Sequence, residues 1–291
     1  MISIIICSVR PSLLESLVEN IHATIGVPHE IISIDNRGTN DGICKVYNNG
    51  ASKAKFEVLC FAHEDIQFHT KNWGRHIIDA FNDKNVGLVG ACGAKYKSAI
   101  PSMWTDVPSS YYVSQAFFPE DSARKEVLSE NGNISPEVAV LDGMLLITRK
   151  SIWEKFLFNE EILGFHFYDI DFSLRLGQCY KIVVSKDIVV EHYSRGKRNK
   201  DWLVSSLSYH VKYRHLLPRY IGNFSKKEKA LIDFRCYLVL NDLMIKYNFP
   251  TSIIVEYFFK SVIIRPFSRK HINNFIKIVS YGFLKSSFSS F

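Results

Sequence analysis

Long apolar runs are missing from this chain. No uninterrupted stretch of about 18 apolar residues occurs, so no segment is expected to span a bilayer. The opening MISIIICSVRP has no basic stretch ahead of its apolar residues, and that run is too short for a secretion signal, so a cytoplasmic address is expected. Paired cysteine spacings are missing too. The six cysteines (Cys7, Cys44, Cys60, Cys92, Cys179 and Cys236) make no CxxC, which indicates neither a metal finger nor an oxidising compartment. GxxxxGK[ST], GxGxxG and GxSxG are absent, which argues against P-loop NTPases, dinucleotide-dependent oxidoreductases and α/β-hydrolases. The ten histidines show no HExxH. Neither an internal repeat nor a low-complexity tract occurs.

Acidic residues are scarce in one region only. Residues 195–291 hold 5 Asp+Glu against 18 Lys+Arg, a net +13, whereas residues 1–194 hold 24 against 18, a net −6, and together they give the +7 of the whole chain. An acidic body with a basic appendage points to an anionic partner for the appendage, a membrane surface or nucleic acid. Hydrophobic residues at 47% and charged residues at 22% suit a globular protein, and 291 residues allow one large domain or two.

Strand-like and helix-period segments alternate through the first two-thirds. Residues 2–7 are continuous and apolar, as in a parallel strand buried on both faces. Ser12 with Glu15 spells a capping box for a helix, and strands are expected over 30–34, 57–62, 86–90 and 181–184, with helices over 43–54, 73–81, 150–156 and 170–176. This order predicts an α/β fold, a doubly wound and mostly parallel sheet with helices on both faces. Residues 93–136 carry Pro101, Pro108 and Pro119 with little periodicity and read as a functional loop. Beyond a basic junction at 194–200, Ser225 with Glu228 opens a helix to about residue 247, and two more follow over 251–264 and from 268. The expected division is a catalytic domain over 1–200 and a basic, amphipathic helical subdomain over 201–291.

Acids and one histidine close the apolar runs. Asp35-Asn36 ends the second strand, His63-Glu64-Asp65 the third, Tyr168-Asp169-Ile170-Asp171 opens a helix, and His192 follows IVVE. Side chains at the carboxyl ends of strands in an open α/β sheet face one crevice, and acids converging there call for a divalent cation. Asp65 can hold Mg²⁺ or Mn²⁺ against a diphosphate, and Asp35 can accept from a base imide or ribose hydroxyl. Asp169 and Asp171, two residues apart, point to different sides of a helix end, so one can cap the helix while the other faces the crevice. Three aromatics beside them (Phe165, Phe167, Tyr168) suggest a partly dry pocket that would raise a carboxyl pKa towards use as a base.

In this order, IIICSVRP, IDNRGTNDG, YNNGASKAKFEVLCFAHEDI, VLDGMLLITRKSIWEKF, GFHFYDIDFSLRLGQCYKIVV and EHYS resemble the GT-A glycosyltransferases of the large family-two type, over about residues 1–194. The resemblance implies inverting transfer from a nucleotide-diphosphate sugar, aided by Mn²⁺ or Mg²⁺, to a glycan, lipid-linked glycan or protein acceptor, in surface polysaccharide or glycoconjugate synthesis. It implies Cys7, Ser8, Arg10, Asp35 and Asn48 in the nucleotide site, with Asn36 and Glu64 beside them. Asp65 would be the metal-binding end of DxD, His192 a second ligand and His63 a third candidate. Asp142 and Gly143 would border the acceptor, and Asp169 would be the catalytic base; Asp171, from the paired-acid reading above and not from the resemblance, is a further candidate for the acceptor side. Two departures stand out: His63 replaces the usual first acid of DxD, and Tyr168 replaces the acid that usually precedes the base.

A nucleotidyltransferase would carry a glycine-rich loop after its first strand, which SVRPSLLES lacks. Nucleic-acid binding through the tail is disfavoured, because its aromatics fall at helix-core spacing instead of alternating with basic residues. A catalytically inactive GT-A domain is the other alternative. The tail offers an apolar stripe (Ile272, Phe275, Ile276, Val279, Phe283) that suits peripheral contact with an anionic membrane at its inner face, or a homo-oligomer through the C-terminal helices.

Overall fold

A computed structural model describes residues 1–39, 41–119, 135–194, 196 and 198–288, with side chains through residue 282. It divides the chain into two compact units, Met1–Tyr96 with Tyr111–Lys197, and Lys97–Ser110 with Arg198–Phe291.

The first unit begins β1 (Ile2–Ser8), α1 (Pro11–Thr24), β2 (His29–Asp35), α2 (Ile43–Ser52), β3 (Val58–His63), β4 (Ile66–Phe68), α3 (Trp73–Ala80) and β5 (Val86–Gly90). It continues with the short strands β6 (Cys92–Ala94), β7 (Tyr96–Lys97, where the chain leaves this unit), β8 (Tyr112–Ser114), β9 (Ala116–Phe117) and β10 (Val140–Leu141). β11 (Leu145–Arg149), α4 (Lys150–Trp153), α5 (Tyr168–Leu176), β12 (Lys181–Val184) and β13 (Val190–His192) complete it. Six strands form one sheet in the order β12-β5-β11-β3-β1-β2. β1 runs parallel to β2 and β3, and β12 parallel to β5, while β11 runs antiparallel to both its neighbours. The expected mostly parallel sheet is present, with one reversed strand that composition did not announce. The turn at Asp142-Gly143 splits the apolar run of residues 138–148: β10 pairs with β6 in a three-stranded sheet, and β11 enters the main one.

Two local expectations need correction. No capping box forms at Ser12. The helix starts earlier, with Arg10 as N-cap and Pro11 in its first turn, where its fixed φ fits and its missing N–H costs nothing. Part of the region read as one loop, 93–136, is sheet: β6 pairs with β8, and β9 with β13. Strands of two or three residues are too short to show a period of two. Residues 120–134 of that region lie outside the described residues.

An aromatic cluster lies under the carboxyl ends of the strands. Phe158 packs edge-on against Phe61 (centroids 4.8 Å apart) and stacks on Phe172 (4.3 Å), with Tyr47 and Tyr168 around it. Such offset and edge-to-face pairs add about 0.5–1.5 kcal/mol each beyond area burial and give a rigid floor. Gly50 lets α2 approach β1 closely, because a Cβ there would overlap Ile5.

The second unit holds α6 (Lys200–Lys212), α7 (Lys226–Lys246), α8 (Thr251–Ile264) and α9 (Lys270–Phe288). The expected capping box forms: Ser225 Oγ accepts from Glu228 N–H (3.2 Å) and Glu228 accepts from Ser225 N–H (2.8 Å). Segment Lys97–Ser110 enters this unit through polar contacts. Lys97 is fully buried, its ammonium donating to Ser102 Oγ (2.8 Å) and to His210 Nε2 (2.9 Å). His210 Nδ1–H is spent on the Ser206 carbonyl (2.7 Å), so Nε2 is the acceptor. Burial and then the Lys97 charge push that imidazole well below its usual pKa, which keeps it neutral. Arg198 meets Asp106 at 2.7 Å, and Ser98 donates to Asp233 (2.6 Å).

Candidate active site

Strand register places the site. Ser8 lies opposite Asp35, and Cys7 opposite His63, so the three parallel strands β2, β1 and β3 end level. Glu64 then ties two of these ends together. Its carboxylate accepts from Ser8 Oγ (2.7 Å), Val9 N–H (3.1 Å), Arg10 N–H (3.0 Å) and Arg10 Nε (3.2 Å). Glu64 is therefore consumed in shaping the loop between β1 and α1, and it positions nucleotide-facing candidates instead of presenting its own oxygens.

The structure brings His63, Asp65 and His192 together. One donor atom from each lies within 4.8 Å of the others. Asp65 Oδ1 is 3.4 Å from His192 Nε2 and 3.9 Å from His63 Nδ1, and its Oδ2 is 3.4 Å from Arg10 Nη2. Burial works against ionisation of Asp65, but the His192 imidazole and the Ser194 hydroxyl outweigh it and hold its carboxyl well below the usual range. His192 Nε2 is buried and has no hydrogen-bond partner among the described residues, at a distance from Asp65 that lacks hydrogen-bond alignment. The nitrogen is thus close enough to favour the carboxylate's charge but is left without an aligned bond, which a cation shared by both groups would remedy. The donor set therefore fits a divalent ion.

The tautomer of His63 follows from its other side. Tyr168 donates its hydroxyl hydrogen to the Gly143 carbonyl (3.0 Å), so it can only accept from His63 Nε2–H at 2.7 Å. The Nδ1 lone pair is then left facing Asp65. Burial first, and His192 next, push the His63 imidazole below its ordinary pKa and keep it neutral, as a ligand must be. Outer partners of this kind orient metal-bound histidines. Gly143 is required here, because a Cβ on it would overlap the Tyr168 hydroxyl.

The same glycine holds Asp169. Gly143 N–H donates to Asp169 Oδ2 (3.0 Å) and Ile170 N–H to Oδ1 (2.8 Å). Phe167, the N-cap of α5, adopts a left-handed conformation (φ 66°) that sets Tyr168 and Asp169 in the first helical turn. Withdrawal from water, and then the Asp142 charge, raise the Asp169 pKa to about 7 despite those hydrogen bonds. One hydrogen-bonded chain thus runs from His63 through Tyr168 and Gly143 to Asp169.

Other expected residues are placed differently. Asp35 is exposed, its carboxylate clasped by Arg37 (Nε 2.9 Å, Nη2 2.5 Å) and drawn down to about pKa 2 by those bonds. Asn36 is buried and spends its amide on the Asp41 carbonyl (3.1 Å) and the Thr39 hydroxyl. Cys7 is half-buried, with burial and then Glu64 pushing its thiol up to about 11, so it is a neutral wall. Asn48 does not face the crevice. Its amide donates to the Phe158 carbonyl (2.8 Å) and Glu160 (2.9 Å) and accepts from Trp153 Nε1 (3.1 Å) and Phe158 N–H (3.0 Å), so it is a structural clamp. Asp171 is fully buried and paired with Arg175 (2.7 Å), which removes it from the acceptor side. Asp142 lies in the turn before β11, where its Oδ1 accepts from Met144 N–H (2.9 Å). Tyr168, expected only as a lost acid and as one of three aromatics drying the pocket, is a functional candidate in its own right.

Comparison with known proteins agrees with this architecture. Among solved structures, GalNAc-T7 with UDP, GalNAc and Mn²⁺ superposes with a TM-score of 0.54 at 11% identity, covering 74% of this chain but only 49% of its own length. The mannosyltransferase PcManGT from Pyrobaculum calidifontis, with GDP-Man and Mn²⁺, gives 0.50 at 11% identity, covering 96% of this chain and 79% of its own. At these identities the likeness shows the GT-A fold. No curated protein matches at a significant level. The profile of the glycosyltransferase-like family matches residues 3–214, and the chain belongs to that family.

Proposed function

We propose that this chain transfers a sugar from a nucleotide-diphosphate sugar to an acceptor hydroxyl, with inversion, using Asp169 as the base. The observation that carries the reading is the hydrogen-bonded chain that joins Asp169 to the His63, Asp65 and His192 cluster through Gly143 and Tyr168. A carboxylate with a pKa of about 7 is half ionised near neutrality and basic enough to take a hydroxyl proton as the oxygen attacks C1. Its two backbone donors fix the direction of its lone pairs. Attack from the face opposite the departing diphosphate inverts C1, and the diphosphate leaves with the bonding pair. Arg10, half-exposed beside Asp65, supplies positive charge towards that leaving group. A divalent ion held by Asp65, His192 and His63 would neutralise further charge on the diphosphate. Two imidazoles favour a transition ion such as Mn²⁺ over Mg²⁺. The structures of GalNAc-T7 and PcManGT, which contain nucleotides and Mn²⁺, support a nucleotide-sugar donor. The acceptor is proposed to be a glycan, lipid-linked glycan or protein hydroxyl.

Calorimetric titration with UDP and GDP, in Mn²⁺, Mg²⁺ and EDTA, tests the reading. Tighter binding in Mn²⁺ is expected, and Asp65→Ala should abolish that dependence. Equal affinity in EDTA and in Mn²⁺ would reject the metal-assisted site.

A further inference from the structure

We infer that the α8–α9 hairpin docks the second unit on an anionic lipid bilayer. The packing of α9 is mixed: it buries Ile278 and Tyr281, yet part of its inward face is polar while much of its apolar surface is exposed. His271 and Asn274 are turned inward, and Asn274, like Asn241 of α7, is buried with neither amide group hydrogen-bonded among the described residues. Ile272, Phe275, Ile276 and Val279 are instead turned outward, as are Phe259 and Ile263 of α8. At the tip between the helices Phe267 is 99% exposed and Ile263 nearby is 80% exposed. A surface that leaves bulky apolar side chains in water while keeping amides inside is built to meet an apolar phase. The side chain of Phe283, the last residue of the expected stripe, lies outside the described ones.

Charge selects the occupant. Residues 251–288 carry Lys260, Arg265, Arg269, Lys270, Lys277 and Lys285 against Glu256 alone, a net +5. A second copy would bring the same positive charge to the contact. Anionic headgroups neutralise it while the acyl region takes Phe267 and Ile263, as an in-plane amphipathic element requires. Among the described residues no helix is long and apolar enough to cross a membrane, so the element would lie in the interface. The inference does not depend on the sugar-transfer reading.

Flotation of the full chain with vesicles tests it. The protein should float with phosphatidylglycerol-rich vesicles at low salt and much less with pure phosphatidylcholine. Ile263→Ser and Phe267→Ser, at exposed positions that leave the fold intact, should each weaken partitioning about tenfold, since full burial of such a side chain contributes at least that much. Arg269→Glu with Lys270→Glu should erase the preference for the anionic lipid. Protein that stays below both vesicle types at low salt overturns the inference. So does a stable dimer by sedimentation that the two serine substitutions dissociate, because the face would then be a self-contact.

Discussion

Replacing Asp169 by Asn should separate catalysis from stability in a pH-dependent way. In the native protein this carboxyl has a pKa raised from 3.8 to about 7. Between those values the native state holds a proton that the unfolded chain has released, so stability falls as pH rises, by about 1.4 kcal/mol per unit, and levels off above 7. The full swing is about 4 kcal/mol, an upper figure because the side chain keeps some solvent contact. From pH 5 to pH 8 the accessible part is about 3 kcal/mol. Asp169→Asn has nothing to titrate. It should lose that slope, being less stable than the parent at pH 5, where one of the two N–H donors from Gly143 and Ile170 faces an NH₂ group, and gaining on the parent towards pH 8. Turnover should fall about 10²–10⁴-fold, the usual contribution of a positioned base, with nucleotide affinity retained. Urea unfolding at several pH values, alongside kcat/KM profiles with an acid limb near 7, measures both. Parallel stability profiles for parent and mutant, or near-parental turnover, would refute the assignment.

Three further outcomes follow from the same geometry. Tyr168→Phe removes the acceptor that holds His63 Nε2–H and should weaken Mn²⁺ binding about 10–100-fold, read by titration or electron paramagnetic resonance without any turnover. Asn48→Ala strips the acceptor from Trp153 Nε1 and Phe158 N–H, two buried donors, and should cost about 2–5 kcal/mol in unfolding experiments while nucleotide affinity stays unchanged. Asp171→Ala takes the carboxylate from a partly exposed Arg175 that keeps its bonds to the Phe156 and Leu157 carbonyls, and should destabilise by about 1–3 kcal/mol in unfolding experiments; a mutant that is stable but inactive would restore Asp171 to the acceptor side.

The strand ends were legible because β1, β2 and β3 are apolar runs closed by polar residues, and parallel strands of similar length end together. The direction of β11 was not legible. Its residues and those of β10 are equally apolar, and only the hydrogen-bonding at Asp142-Gly143 reveals a reversal. Two misplaced site residues did carry a signal. Asn48 falls at i+4 from Cys44 and three before Ala51, on the buried face of α2, so its amide had to point inward. Asp171 and Arg175 are an i,i+4 pair, which offered a partner inside the helix. The resemblance placed Asn48 at the nucleotide site and the paired-acid reading left Asp171 open to the crevice, whereas helical spacing alone would have placed both in the core.

The two departures from the family pattern, His63 for an acid and Tyr168 for an acid, are one departure in space. They sit far apart in the chain yet share a 2.7 Å hydrogen bond. A carboxylate at position 168 beside an imidazole at 63 would favour the imidazolium, which has no lone pair for a cation. A phenol offers an acceptor without a charge, so the imidazole stays neutral and keeps its Nδ1 lone pair towards Asp65. With no second carboxylate at 168, it is the charge of Asp142 that, after burial, raises Asp169. Read one at a time, each substitution suggests a weakened site. Taken as a bonded pair, they fit the proposed site, in which imidazole ligation would replace carboxylate ligation while Asp169 serves as the base.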